Sequence, residues 1–211
     1  MSTDWRILTR APAYHGFFRL DRLTLQHRRF DGDWTPPLER EVFERGDGVA
    51  VLPYDPIRDR VILIEQFRVG ALQDPAGPWL IEIVAGIRDP GESPLAVARR
   101  ELHEEIGASG DPIEAIASFY VSPGGTSESI SLFWARVDAD RIHGIHGLAD
   151  EHEDIRVLNW PWTKAWAEVG QGRIRTAPAV IALQWLERER DPLRTRWAST
   201  RRAEPGSDLG L

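Results

Sequence analysis

The segment Gly86–Ala108, GIRDPGESPLAVARRELHEEIGA, constrains this chain more than any other stretch of its 211 residues. Ser93 can cap a helix, Pro94 suits the first helical position and Gly107 supplies a stop, so a helix is predicted between Ser93 and Gly107. Leu95, Ala98, Leu102 and Ile106 recur at helical spacing and form its apolar side. Glu101, Glu104 and Glu105 sit on the same helix at i, i+3 and i+4. With about 100° of rotation per residue, Glu101 and Glu105 stand almost above one another. Like charges so placed repel, which leaves two readings. Cations neutralise the cluster, or it is a solvated acidic face, and periodicity alone favours the second. If cations bind, oxygen donors without thiolates select hard ions, Mg²⁺ or Mn²⁺ over Zn²⁺. Arg100 can pair with one carboxylate and fix its rotamer.

The rest of the chain reads as strands before this helix, then strands and helices after it. Residues 5–45 form a β module, with strands at Phe17–Leu25 and Leu38–Arg45 around the turn-rich DGDWTPP. Gly48–Asp55 and Arg60–Val69 make a strand pair, and Trp79–Ala85 is a third strand. Strands follow near Ile113–Val121 and Ile130–Val137. A polar loop runs from about Asp138 to Asp154, then a strand at Ile155–Trp160 and helices at Trp162–Val169 and Ala177–Arg190. Trp160, Trp162, Trp166, Trp185 and Trp197 are expected to pack these last helices. The fold class is α/β, a mixed sheet between helices with an additional N-terminal antiparallel β module. The expected divisions are 1–47 for that module, 48–200 for the main domain and 201–211 for a loose polar tail.

Composition narrows the function. There is no Cys, which excludes disulfides, thiolate zinc sites and cysteine nucleophiles and fits the cytoplasm. The net charge of −7 argues against bulk nucleic-acid binding. No secretory leader or apolar run long enough for a membrane span is expected.

The spacing of the whole Gly86–Ala108 segment weighs against the solvated-face reading. Gly86, Glu92, Arg100, Glu101, Leu102, Glu104, Glu105 and Gly107 match the Nudix box, Gly-x5-Glu-x7-Arg-Glu-U-x-Glu-Glu-x-Gly-U, where U is bulky and aliphatic. Only Ala108, small where a bulky residue is usual, departs from it. A chance match of the seven fixed letters is on the order of 10⁻⁶ to 10⁻⁷, so the chain resembles the Nudix hydrolases. Within them it is most similar to the bacterial ADP-ribose pyrophosphatase branch. GFFRLD, REVFERG, LIEQFRVG, SFYVSPGGTSE, GLADEHEDIRV and VIALQWL carry that likeness over residues 14–190. Pro123, sixteen residues past Gly107, is a further mark of ADP-sugar pyrophosphatases.

The resemblance implies a Nudix α/β/α sandwich, with the N-terminal strands mediating a homodimer. It implies Mg²⁺-dependent hydrolysis of ADP-ribose to AMP and ribose 5-phosphate, with Mn²⁺ as a substitute. Glu101 and Glu105 are the metal ligands, joined by the Ala85 backbone carbonyl, with Glu104 as a ligand or near partner. Matching the loop GIHGLADEHED places the catalytic base at Glu151 and a further ligand at Glu153. His143, His146 and His152 in this loop could suggest zinc, but scattered loop histidines are more often solvated. Arg40, Arg45 and Arg68 match substrate-binding arginines, and guanidinium groups suit a diphosphate. Glu41, Ile87, Ser122 and Glu128 are further substrate contacts. Phe17 or Phe18 could stack on adenine, with one of the two expected to face inward. Gly86, Glu92, Arg100 and Gly107 are structural in the box.

Two other functions stay open on the sequence. One is a pyrophosphatase for another nucleoside diphosphate sugar, GDP-mannose or ADP-glucose, because the box reads only pyrophosphate and metal. The other is a Nudix-derived ADP-ribose sensor without turnover, disfavoured by the full set of box glutamates. The acidity sharpens with the site. Without Glu92, Glu101, Glu104, Glu105, Glu151 and Glu153 the net charge falls from −7 to about −1, so the negative charge is largely local.

Overall fold

A computed structural model describes residues 4–198, apart from the side chain of Glu151. The expected tail, 201–211, lies outside the described residues. Two compact units emerge. The smaller takes in the described residues up to Gly48 together with Phe119–Ile130; the larger takes in Val49–Ser118 and the described residues from Ser131 onward.

The smaller unit holds a three-stranded antiparallel sheet, β1 (Trp5–His15), β2 (Arg19–His27) and β3 (Leu38–Glu44), in that order. β1 is an 11-residue strand exposed along its whole length. Its sequence, WRILTRAPAYH, has no alternating pattern, because neither face is buried within the chain. Pro12 is tolerated because β1 is an edge strand, and two register shifts interrupt its ladder.

The larger sheet has eight strands. β4 (Gly48–Asp55), β5 (Arg60–Phe67), β8 (Ile113–Tyr120), β9 (Ser129–Arg136), β10 (Ile145–His146) and β11 (Ile155–Pro161) run in the order β10-β11-β5-β4-β9-β8. β6 (Trp79–Glu82) pairs with β5, and β7 (Val84–Ile87) with β4. The expected single strand Trp79–Ala85 is thus two strands parted at Ile83, each paired to a different neighbour. A helix, α1 (Pro94–Ile106), packs on this sheet, and α2 (Trp162–Gly170) and α3 (Ala177–Ala198) complete the sandwich. Among the described residues no helix is long and apolar enough to cross a membrane.

Strand alternation builds the core that carries the site. Val49, Val51, Ile62, Ile64 and Val84 are buried with Val97, Ala98, Leu102 and Ile106 of α1. Val97, not the expected Leu95, completes the buried face of the helix. Leu95 lies in the first turn and stays exposed. Ala108, the small residue at the box exit, packs partly buried against the same cluster.

α3 runs past its expected end at Arg190 to Ala198, with Pro192 inside it. Proline removes one helical hydrogen bond, but tertiary contacts hold both sides of it. Leu193 is buried, Arg190 and Arg194 pair with Asp59, and Arg196 pairs with Glu114. The tryptophans do pack here. Trp162 stacks on Trp166, Trp134 lies 6.2 Å from Trp185, and Trp197 sits beneath Arg136.

Leu102 is fully buried between α1 and the sheet. Leu102→Ala should cost about 2–5 kcal/mol in urea unfolding, and Leu95→Ala within about 0.5 kcal/mol.

Candidate active site

The local sequence does what its capping residues require. The Ser93 hydroxyl accepts from the Ala96 N–H at 3.2 Å, and Pro94 begins the helix. Gly107 ends it in the left-handed region at φ 62°, where its N–H and that of Ala108 donate to His103 and Leu102 carbonyls. With both ends fixed, the helix phase is fixed too. It turns Glu101 and Glu105 onto the buried side with Val97, Ala98 and Leu102. That excludes the solvated acidic face for these two residues.

Gly86 explains how a carboxylate fits there. A Cβ built on Gly86 would stand 1.7 Å from Glu101 Oε1, so the carboxylate rests directly on a bare Cα. The Ala85 N–H donates to Glu105 Oε2 at 3.0 Å. β7 thus presents its backbone to both carboxylates. Arg100 ties the cluster together: its guanidinium lies 2.7 Å from Glu101 Oε1 and 2.9 Å from Glu104 Oε2. It also lies 3.5 Å from Glu92 and donates to the Ile87 carbonyl at 3.3 Å. Among the described residues no three Asp, Glu or His side chains yet close around one point.

Burial dominates the electrostatics of the cluster. An arginine at 2.7 Å would ordinarily hold a carboxyl low. Burial outweighs it at Glu101, whose pKa is pushed up to about 7, with Glu104 and Glu153 adding repulsion. Burial also raises Glu105 well above its ordinary value, against the pull of the Ala85 N–H and Arg68. Glu153 repels both carboxyls, so the loop brings its charge within range of the helix. Two buried carboxyls that resist ionising beside further carboxylates form a donor set of hard oxygens suited to a divalent cation.

Arg68 donates to Glu82 Oε2 at 2.7 Å, and Gln66 reaches the same oxygen. Glu82 was not anticipated, although a lone carboxylate in the apolar run WLIEIVA was the available signal. On the loop, Glu153 Oε2 accepts from the Leu148 N–H at 3.1 Å. Glu151 ends a short 3-10 turn, Ala149–Glu151; its side chain lies outside the described residues.

The other expected contacts belong to the smaller unit. Arg45 lies 3.4 Å from buried Glu128 and stacks 5.4 Å from the Phe18 ring. Phe18 also meets Phe43 and Phe17 edge-on. Phe17 is 89% exposed, and Phe18 half-buried. Arg40 donates to the neighbouring Glu39 carbonyl, and Glu41 faces Arg22 at 3.7 Å. Ser122 accepts backbone bonds from Gly125 and Thr126 through its carbonyl.

Comparisons with known proteins identify the family. A family model for the NUDIX domain matches residues 44–177. The ADP-ribose pyrophosphatase of Escherichia coli strain K12 is 47% identical over 195 residues, which cover 92% of this chain and 93% of that protein. The ADP-ribose pyrophosphatase of Haemophilus influenzae is 41% identical over 197 residues, covering 92% and 91%. The GDP-mannose pyrophosphatase of Cronobacter sakazakii is 39% identical over 189 residues, covering 89% and 97%. A solved ADP compounds hydrolase matches with a TM-score of 0.68 at 22% identity, covering 90% of this chain and 95% of that one, and supports the fold.

A carboxyl whose folded pKa is raised contributes stability that is present below its unfolded value and lost as pH rises through its folded one. For Glu101 that window runs from 4.5 to about 7. The Tm of metal-free protein should fall across it, and Glu101→Gln should flatten the fall and raise Tm above the window. Scanning calorimetry from acid to alkaline buffer reads both.

Proposed function

The chain belongs to the NUDIX family, and from that membership we propose that it hydrolyses the pyrophosphate bond of ADP-ribose to AMP and ribose 5-phosphate. The observation that carries this reading is the buried Glu101–Glu105 pair beneath the backbone of Ala85 and Gly86, in a chain 47% identical to an ADP-ribose pyrophosphatase. Glu101, Glu105 and Glu153, with Glu104 and the Ala85 carbonyl, would hold divalent cations, Mg²⁺ by preference and Mn²⁺ as a substitute. Bound there, the cations would neutralise phosphate charge and lower the pKa of an attacking water.

The chain's own groups do the rest. Glu151 accepts the proton of the water that attacks phosphorus. One P–O bond forms, the bridging P–O bond breaks, and the two phosphate monoesters leave. Arg100 holds Glu101 and Glu104 in place. Arg68, oriented by Glu82, supplies positive charge to the diphosphate. Ile87 is a further substrate contact. Arg40, Glu41, Arg45, Ser122 and Glu128 serve as further substrate contacts, and the exposed ring of Phe17, rather than half-buried Phe18, is the adenine platform.

We also assign the N-terminal module to homodimer formation, which the fully exposed β1 supports, because a long bare edge strand invites a partner. The division at 1–47 and 48–200, and a cytoplasmic setting, which the absence of cysteine supports, belong to the same reading. GDP-mannose is the alternative substrate, favoured by the relative at 39% identity.

Pure protein with ADP-ribose and Mg²⁺ should yield AMP, resolved by chromatography, at a higher kcat/KM than with GDP-mannose. No AMP above a metal-free control contradicts the reading. Glu151→Gln should keep substrate binding and lower kcat by roughly 10²- to 10⁴-fold; a normal kcat removes Glu151 from the role of base.

A further inference from the structure

The loop that carries Glu151 and Glu153 must be registered against the helix that carries Glu101 and Glu105. Among the described residues, the His146 side chain joins the two segments. The His146 imidazole lies against the end of α1, where a Cβ built on Gly107 would stand 2.7 Å from His146 Cε1 and 3.2 Å from Nδ1. The ring therefore occupies the space that any larger residue at 107 would claim. Its Nε2 bonds the His143 carbonyl at 2.9 Å. A carbonyl only accepts, so Nε2 carries the proton and the ring is locked in one orientation.

The surrounding backbone anchors this contact. His146 pairs with Ile155 on β11, so its backbone is tied to the large sheet. The next residue, Gly147, donates to the Glu104 carbonyl on α1 at 3.4 Å. Leu148 and Glu153 then close the loop, through Leu148 N–H to Glu153 Oε2 and Glu153 N–H to the Leu148 carbonyl. The chain from ring to carboxylate is short, and each link is a bonded or packed contact.

We propose that His146 is a positioning residue. Seated on Gly107 and latched to the His143 carbonyl, its ring sets the distance between the loop carboxylates and the helix carboxylates. This gives the box glycine a second duty besides ending the helix: it leaves room for the ring. The proposal rests on the functional reading above for the roles of Glu151 and Glu153. A displacement of about 1 Å between reacting groups can cost roughly a hundredfold in rate, so a small loss of register is readable.

The test compares His146→Ala, His146→Phe and His143→Ala, the last because only the backbone of His143 is used. In ligand-free protein, amide hydrogen exchange over residues 147–153 should quicken in His146→Ala and stay unchanged in His143→Ala. With ADP-ribose and Mg²⁺, His146→Ala should lower kcat about ten- to a hundredfold with KM within about twofold. His146→Phe keeps a ring over Gly107 and should recover part of the kcat loss. Unchanged exchange and unchanged kcat in His146→Ala overturn the proposal, as does an equal loss in His143→Ala or no recovery in His146→Phe. If wild-type protein turns over no ADP-ribose, the functional reading fails separately, and the exchange comparison still decides whether the ring holds the loop.

Discussion

The burial of two carboxyl groups between a helix and a sheet governs the rest of this structure. Glu101 and Glu105 occupy positions that helix phase would ordinarily fill with aliphatic side chains. Desolvating even one carboxylate costs several kcal/mol, and a neighbouring arginine returns only part of it. The surroundings show how the cost is contained. A glycine gives the Glu101 carboxylate room, a backbone N–H meets Glu105, and Arg100 bridges Glu101 and Glu104. What remains is a raised pKa at both, caused first by burial.

The scaffold around this pair is densely packed. The apolar cluster of Val49, Val51, Ile62, Ile64 and Leu102 locks α1 to the strands that bring Ala85 and Gly86 beneath it. Asp59, itself in a left-handed turn between β4 and β5, gathers Tyr54, Arg190 and Arg194 and so anchors α3 to the large sheet. Under the proposed function, this frame holds the helix carboxylates while the loop supplies Glu151 and Glu153.

Much of the site was legible because its reasons are local. Ser93, Pro94 and Gly107 fix the ends of α1 through backbone hydrogen bonding, and helical spacing then stacks Glu101 on Glu105. What the sequence hid was non-local. β1 carries no alternation because neither of its faces is buried within the chain. The break at Ile83 appears only once β6 and β7 pair with different strands. Pro192 reads as a stop until Arg190, Leu193 and Arg194 are seen holding the helix on either side of it. Glu82 and His146 gained significance from partners fourteen or more residues away in the chain, Arg68 and Gly107. No spacing rule reaches such contacts.

If the raised carboxyls are the cation site, a cation must displace their protons as it binds. Calorimetric titration of Mg²⁺ at about pH 6.5, in buffers of different ionisation enthalpy, counts those protons directly. Release of protons on Mg²⁺ binding, reduced in Glu101→Gln, is the expected result. Binding of Mg²⁺ with no proton released would contradict the link between the buried carboxyls and the metal.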